Sequence, residues 1–359
     1  MQFGLSESQL ILKNNARKFF ATECAPAEVR RIMDTDTAYD EVLWDKMAEQ
    51  GFTGITCPEQ FNGLGLGKVE LALLMEEMGR ALVPGPFFST VVVCGSLIDA
   101  AANAEQKHKF LTPICDGESR AAFASYDREG SAVAASGATL TGEKLFVSDA
   151  AAADFLVVEA QGSLYIVDAH DTGIKIVPMP ALDLTRRLSA VRLNGVPAVK
   201  LTGGAGNAID LATMALAAEM VGGMQRVLDQ TVEYAKTRKQ FGKPIGQFQA
   251  VQHHCADMYL QLESARSAAY YAAWALEEDT PEASTAVSIA KMYASDAARD
   301  IGNRGIQVHG GMGYTWENDL HLFYRRFKAS ETAFGDATYH RERIAKMVID
   351  GAPKKAVVA

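Results

Sequence analysis

The chain has only five cysteines, Cys24, Cys57, Cys94, Cys115 and Cys255, with no Cys-x-x-Cys pair among them. An odd, scattered set indicates neither a disulfide framework nor a zinc site, and a reducing cytoplasm fits it best. Positive charge is not in excess: 35 basic against 44 acidic residues give a net charge of -9. That argues against nucleic acid or an anionic membrane as the main partner, while leaving room for a small basic patch that faces a phosphate. No apolar run reaches membrane-spanning length, and the start "MQFGLSESQLILKNNARKFF" has no positive segment followed by an apolar core. No membrane span and no secretory leader are therefore expected. What remains is a chain of 359 residues, 48% of them hydrophobic, which is enough to bury the cores of two or three domains.

The hydrophobic pattern changes twice along the chain. From Ser6 to about Ala100 it is helical, with Ser6 and Gln9 spaced as a capping box and Leu10, Leu12, Ala16, Phe19 and Phe20 as a stripe. Gly63-Leu64-Gly65-Leu66-Gly67-Lys68 has some of the look of a phosphate loop, but Val69 follows the lysine and no strong strand precedes it. It reads as a loop entering an amphipathic helix. From about Arg120 to Lys200 short β-rich runs such as "DFLVVEA", "SLYIVDA" and "GIKIVPM" alternate with Gly, Asp and Pro, without helical spacers. This predicts a small antiparallel barrel or sandwich and not a Rossmann unit. Beyond Gly206 long Ala-rich helical blocks return, about 208–237, 245–278 and 281–302, and short connections make them antiparallel neighbours in a bundle. Gly222 and Gly223 lie inside the first block, which predicts a close helix crossing. The fold class is α+β: an N-terminal helical domain over 1–115, a small antiparallel β-domain over 116–204 and a C-terminal four-helix bundle over 205–359.

Two stretches suggest chemistry. Arg238, Lys239 and Lys243 surround Phe241 in a turn between helices; an arginine there can pair with a phosphate and a phenyl ring can stack on a flat ligand, or the loop is merely solvated with Phe241 in the core. In "GIQVHGGMGYTWEN", Gln307, Gly310 and Gly311 are either a helix C-cap and turn, or backbone bared for a diphosphate. His309 has no second ligand at metal spacing beside it.

Taken together, "RKQFGKPIGQFQAVQ", "QVHGGMGYTWEN" and "YRRFK" resemble the C-terminal domain of the acyl-CoA dehydrogenase family, and "PEQFNGLGLGKVELALLMEEMGRAL" resembles its N-terminal domain. The likeness spans nearly the whole chain. It implies an FAD flavoprotein that oxidises an acyl-CoA substrate to the 2,3-enoyl-CoA and passes electrons to an electron-transferring flavoprotein. It also implies a homotetramer, or a heterotetramer with a related subunit, in which a neighbouring chain helps to hold the ADP half of FAD. On this resemblance Arg238 and Phe241 bind the diphosphate region, and Gln307, Gly310 and Gly311 are presented to the ADP by the neighbour. Ser125, Phe146, Ser148 and Thr338 surround the flavin, and Ser131 meets the substrate.

The resemblance also calls for a carboxylate base. Asp336, in "AFGDATYHRERIA", stands near the Glu of the family's Glu-Gly-Thr loop and is the candidate; its plain alternative is a surface Asp capping the last helix. The other position used in the family is Ala212 here, with Asp210 and Glu219 out of register, and Thr213 stands where some members carry a CoA-contacting Arg. Two further readings stay open: an FAD-holding, non-catalytic partner subunit of a heteromeric enzyme, and a flavin oxidase or monooxygenase of the same superfamily.

Overall fold

The computed structural model describes residues 4–349. Helices α1 (Glu7–Glu23), α2 (Pro26–Met33), α3 (Glu41–Glu49) and α4 (Lys68–Ala81) come first. A π-helical stretch, Phe88–Gly95, leads to α5 (Ser96–Ala101), α6 (Ala104–Phe110) and α7 (Thr112–Cys115). Then come β1 (Ala121–Ala124), β2 (Ala134–Ser136), β3 (Thr139–Ser148), β4 (Phe155–Ala160), β5 (Ser163–Asp168), β6 (Ile174–Met179), β7 (Leu188–Pro197) and β8 (Val199–Lys200). Helix α8 (Ala208–Thr237), the hairpin β9 (Lys239–Gln240) and β10 (Lys243–Pro244), and helices α9 (Gln249–Glu277), α10 (Ala283–His309), α11 (Leu320–Thr332) and α12 (Ala337–Ile349) complete the order. Helical, β and helical regions thus succeed one another as the sequence pattern requires. Among the described residues no helix is long and apolar enough to cross a membrane.

Contacts divide the chain into two units. Among the described residues, one holds residues 4–28, Lys68–Val83 and residues 213–349; the other holds Val29–Gly67 and Pro84–Ala212.

In the second unit the strands form two four-stranded sheets, ordered β1-β4-β5-β8 and β2-β3-β7-β6. Every pair in them is antiparallel except β1 with β4, where Ala121 faces Phe155 in parallel. The chain leaves β1, builds β2 and β3 in the other sheet and only then returns as β4, and a connection of that length permits parallel pairing. Alternating residues turn inward to one core containing Leu140, Val147, Leu156, Val158, Val167, Val191, Leu193 and Val196.

The first unit is helical. Its α4 and α8 approach at Gly79 and Gly222, the crossing that glycine inside a helix predicts. A Cβ on Gly222 would lie 1.7 Å from the Glu76 carbonyl oxygen, and one on Gly79 would lie 1.9 Å from that of Glu219. Polar links also tie the helices together. The buried Glu76 of α4 accepts from Lys13 of α1 at 3.0 Å, and from Arg266 and Tyr270 of α9. Burial raises its carboxyl, but Lys13 and Arg266 outweigh burial and hold it below the usual carboxylate range. The buried Arg326 of α11 donates to Glu219 at 2.7 Å and to the Val83 carbonyl at 3.2 Å.

Candidate functional site

In the helical unit the basic turn is a two-residue hairpin. Lys239 pairs with Pro244 and Gln240 with Lys243, leaving Phe241 and Gly242 at the tip with φ of 51° and 81°. Positive φ at both central residues is the mirror-type turn that suits hairpin twist, and glycine supplies the second position without strain. Phe241 has no such excuse: a bulky residue in the left-handed region is strained, and its ring is 90% exposed. The reading of Phe241 as a core residue is therefore wrong; among the described residues only an edge-on contact with Phe248, centroids 6.1 Å apart, supports the ring. Arg238 is exposed at the end of α8, its N–H donating to Tyr234 at 2.8 Å.

The glycine stretch lies at the same end of the bundle. Helix α10 continues through Gly302 and Gly305 to His309, farther than its glycines suggest, because a Cβ on those glycines would meet Tyr324 at 2.6 Å and Val227 at 2.8 Å. His309 stacks on Tyr234 of α8, centroids 4.3 Å apart, and its Nδ1–H donates to Gly305 at 2.8 Å. Burial lowers its pKa, so it is a packed, neutral histidine that joins the two helix ends. Gln307 is exposed in the last turn. Gly310 follows at φ 60°, ψ -136°, a conformation essentially reserved for glycine. A Cβ on Gly310 or Gly311 would meet nothing within 4 Å. Internal packing thus explains neither Gly311 nor the exposure of the stretch, whereas a ligand approaching from outside explains both.

In the β-unit, Ser125 is half-buried at the end of β1, and its carbonyl accepts from the buried Lys144 ammonium at 2.9 Å. The same ammonium pairs with Asp127 at 2.6 Å. Phe146 sits at a register shift in β3, between Lys144 and Val147, with φ 55°. The bulge turns its ring outward, 53% exposed and edge-on to the exposed Tyr126, centroids 5.6 Å apart. Ser148, half-buried, is fixed by its neighbour: buried Asp149, at φ 58°, accepts from Ser89 at 2.8 Å and from the Arg187 N–H at 3.3 Å. Ser131 is exposed in a tight turn, its N–H donating to Arg128 at 2.9 Å. Two strained, outward aromatic rings, Phe241 and Phe146, thus mark the two units.

Asp336 is exposed at the start of α12, where Oδ1 accepts the Tyr339 N–H at 2.8 Å. It therefore is the helix cap that its sequence allows, with Oδ2 left over. Thr338 is exposed in the same first turn. Of the other carboxylates weighed, Glu219 is the partner of Arg326, and Asp210 is buried. Ala212 and Thr213 are both buried in α8.

Residues 6–118 match the family model of the acyl-CoA dehydrogenase N-terminal domain, and residues 204–349 that of the C-terminal domain. Acyl-CoA dehydrogenase IpdE2 of Mycobacterium tuberculosis is 35% identical over 325 residues, covering 90% of this chain and 92% of the relative. The chain belongs to the acyl-CoA dehydrogenase family. Among solved structures, the Tcur3481-Tcur3483 steroid ACAD matches with a TM-score of 0.89 at 29% identity, covering 96% of this chain and 98% of that one. The ChsE4-ChsE5 complex from Mycobacterium tuberculosis matches with 0.90 at 26% identity, covering 98% and 100%.

Membership makes the chain an FAD-dependent acyl-CoA dehydrogenase, and the exposed groups suit that cofactor. An arginine, a strained phenyl ring and bare glycine backbone face outward at one end of the bundle, as an ADP diphosphate requires. Sequence reasoning passed over two residues of this acyl-CoA dehydrogenase, the buried lysines Lys144 and Lys291. Each carried a signal. Lys144 shares the inward register of Leu140 in β3, and Lys291 shares the buried face of Val287, Ala294 and Ala298 in α10. A lone lysine in an apolar register is buried only when its ammonium is hydrogen-bonded.

Proposed function

We propose that the chain oxidises an acyl-CoA thioester to the 2,3-enoyl-CoA and passes the electrons to an electron-transferring flavoprotein. When bound, FAD supplies the two-electron acceptor for the β-hydrogen. The chain's own residues bind, orient and take the proton. Arg238 pairs with a phosphate and Phe241 covers the adjoining ring, while Gln307, Gly310 and Gly311 serve the ADP of a neighbouring subunit in a homotetramer or heterotetramer. Ser125, Ser148 and Thr338 offer hydroxyls to the flavin and Phe146 flanks it; Ser131 lies on the substrate side. Asp336 takes the α-proton on Oδ2, since Oδ1 holds the Tyr339 N–H.

The observation that carries this reading is the bare Gly310-Gly311 backbone, open beyond where each Cβ would stand. Its test is Asp336→Asn, which keeps the cap acceptor and removes the base. The variant should bind FAD normally and lose the bleaching of its flavin by acyl-CoA without air; unchanged bleaching would remove Asp336 from the chemistry.

One observation favours a second reading, in which this chain holds FAD while a partner chain brings the base. Asp336 already serves as the cap of α12, accepting the Tyr339 N–H, a role that an ordinary surface Asp fills without any chemistry. The likeness to the ChsE4-ChsE5 complex supports the same reading. Activity that appears only when a second subunit is added would select it.

A further inference from the structure

We propose that Lys291 is the positioning residue of the Phe334-Gly335-Asp336 loop, its buried ammonium holding that loop against the end of α11. Lys291 lies in the middle of α10 and is fully buried. Its Nζ donates to the Gly335 carbonyl at 2.9 Å, the Glu331 carbonyl at 3.0 Å and Ser295 Oγ at 3.2 Å. Three donors meet three acceptors, and two of those are backbone carbonyls on either side of the turn from α11 into the loop. Among the described residues no carboxylate pairs with this ammonium: the Glu331 side chain is taken by Arg299 at 2.5 Å and Lys328 at 2.6 Å, and the Asp336 carboxylate caps α12.

Other contacts leave the loop little freedom besides this anchor. Gly335 stands at φ 95°, and a Cβ there would meet the Tyr339 ring at 2.2 Å. On α12, His340 donates from Nε2 to the Phe334 carbonyl at 3.0 Å, while its buried Nδ1 has no hydrogen-bond partner among the described residues. Burial, then the charge of Lys291, push its pKa down to about 4, so this imidazole is neutral. The charged groups acting on Lys291 are Glu331 from α11 and Asp336 from the loop, while α12 faces it with the titratable but neutral His340, on which the positive charge of Arg343 also acts. Arg343 is itself held to Ser288 at 3.0 Å.

Burial lowers the pKa of Lys291 to about 7, with Glu331 and Asp336 pulling the other way. As pH rises through neutrality the ammonium becomes an amine with two N–H groups and a lone pair. The two N–H groups still reach both carbonyls and the Ser295 hydroxyl can donate to the lone pair, but the carbonyl bonds lose their charge assistance and weaken. The loop is tightest on the acid side. What this does to turnover rests on Asp336 as the base; the anchoring itself does not.

The test is amide hydrogen exchange of the FAD-loaded enzyme. In the unaltered chain, protection of the Tyr339 and His340 amides, corrected for intrinsic exchange, should fall about tenfold between pH 6 and pH 8.5, the effect of two charge-assisted bonds becoming neutral ones, while the α8 amides keep theirs. In Lys291→Met the same amides should exchange faster at pH 6 by about that factor, with FAD retained and no further pH dependence. Unchanged protection, or loosening spread over α10 and α11 alike, overturns the proposal. If Lys291→Met does not fold, the pH series on the unaltered chain decides alone. Turnover is read separately: with Asp336 as base, Lys291→Met lowers kcat and leaves KM nearly unchanged. Localised exchange with unaltered kcat keeps Lys291 as the anchor and removes Asp336 from the chemistry.

Discussion

Replacing Gly222 by Ala adds one methyl group where α8 crosses α4. In a free helix this change stabilises by about 1 kcal/mol. Here the new Cβ would sit 1.7 Å from the Glu76 carbonyl oxygen and 2.8 Å from the Arg80 nitrogen, both backbone atoms that no rotamer change can move. The helices must part by more than an ångström, and that also opens the reciprocal contact of Gly79 with Glu219. The side chain of Glu76 resists the shift, because Lys13 and Arg266 hold it from two other helices. Overpacking typically costs about 1–3 kcal/mol, and a rigid obstacle puts this site at the upper end. Subtracting the propensity gain leaves a loss of about 2 kcal/mol, roughly 30-fold in the folded-to-unfolded ratio. Urea denaturation followed by circular dichroism would measure it. Gly204→Ala is the control, because its Cβ meets nothing within 4 Å; it should stay within about 0.5 kcal/mol of the parent. A Gly222→Ala protein as stable as the parent would refute the close-crossing argument.

Other outcomes follow from named contacts. Arg326→Met removes the buried guanidinium that donates to Glu219 and to the Val83 carbonyl and should destabilise by about 3–5 kcal/mol in the same assay. Phe241→Ala removes an exposed ring on a strained backbone, so it should weaken FAD binding about tenfold, a loss in the range reported for one aromatic stacking contact, while the melting temperature stays put. The depressed carboxyl of Glu76 contributes stability that is present above the ordinary value of 4.5 and is lost as pH falls through its lower folded-state value. Glu76→Gln should therefore flatten the acid limb of a melting-temperature profile.

Much of this architecture was legible because local signals and tertiary packing agree. Ser6 and Gln9 form the capping box their spacing predicts, with reciprocal bonds of 3.2 and 2.9 Å. The glycine-rich run ending at Gly67 does enter a helix, α4, which starts at Lys68. Period-two runs gave the strands, although the parallel register of β1 against β4 depends on the route of the chain, which alternation does not encode. Where a residue answered to a distant partner, local reading misjudged it. Gly302 reads as a stop, yet it lies inside α10 because Tyr324 needs its space. Lys291 and Lys144 look like surface lysines until the acceptors that bury them are in place, and those come from segments far away in the chain. Asp336 satisfies helix capping and base position equally well on paper, since both ask for a short acid before the last helix.

The central claim is that this chain holds FAD and uses it on an acyl-CoA. Purifying it alone, loading it with FAD, removing oxygen and recording the visible spectrum as a mixture of acyl-CoA thioesters is added tests that most directly. Bleaching of the flavin absorbance is the predicted result. A chain that holds no FAD, or holds it and is bleached by none of the thioesters, would contradict the claim that it carries out this oxidation by itself.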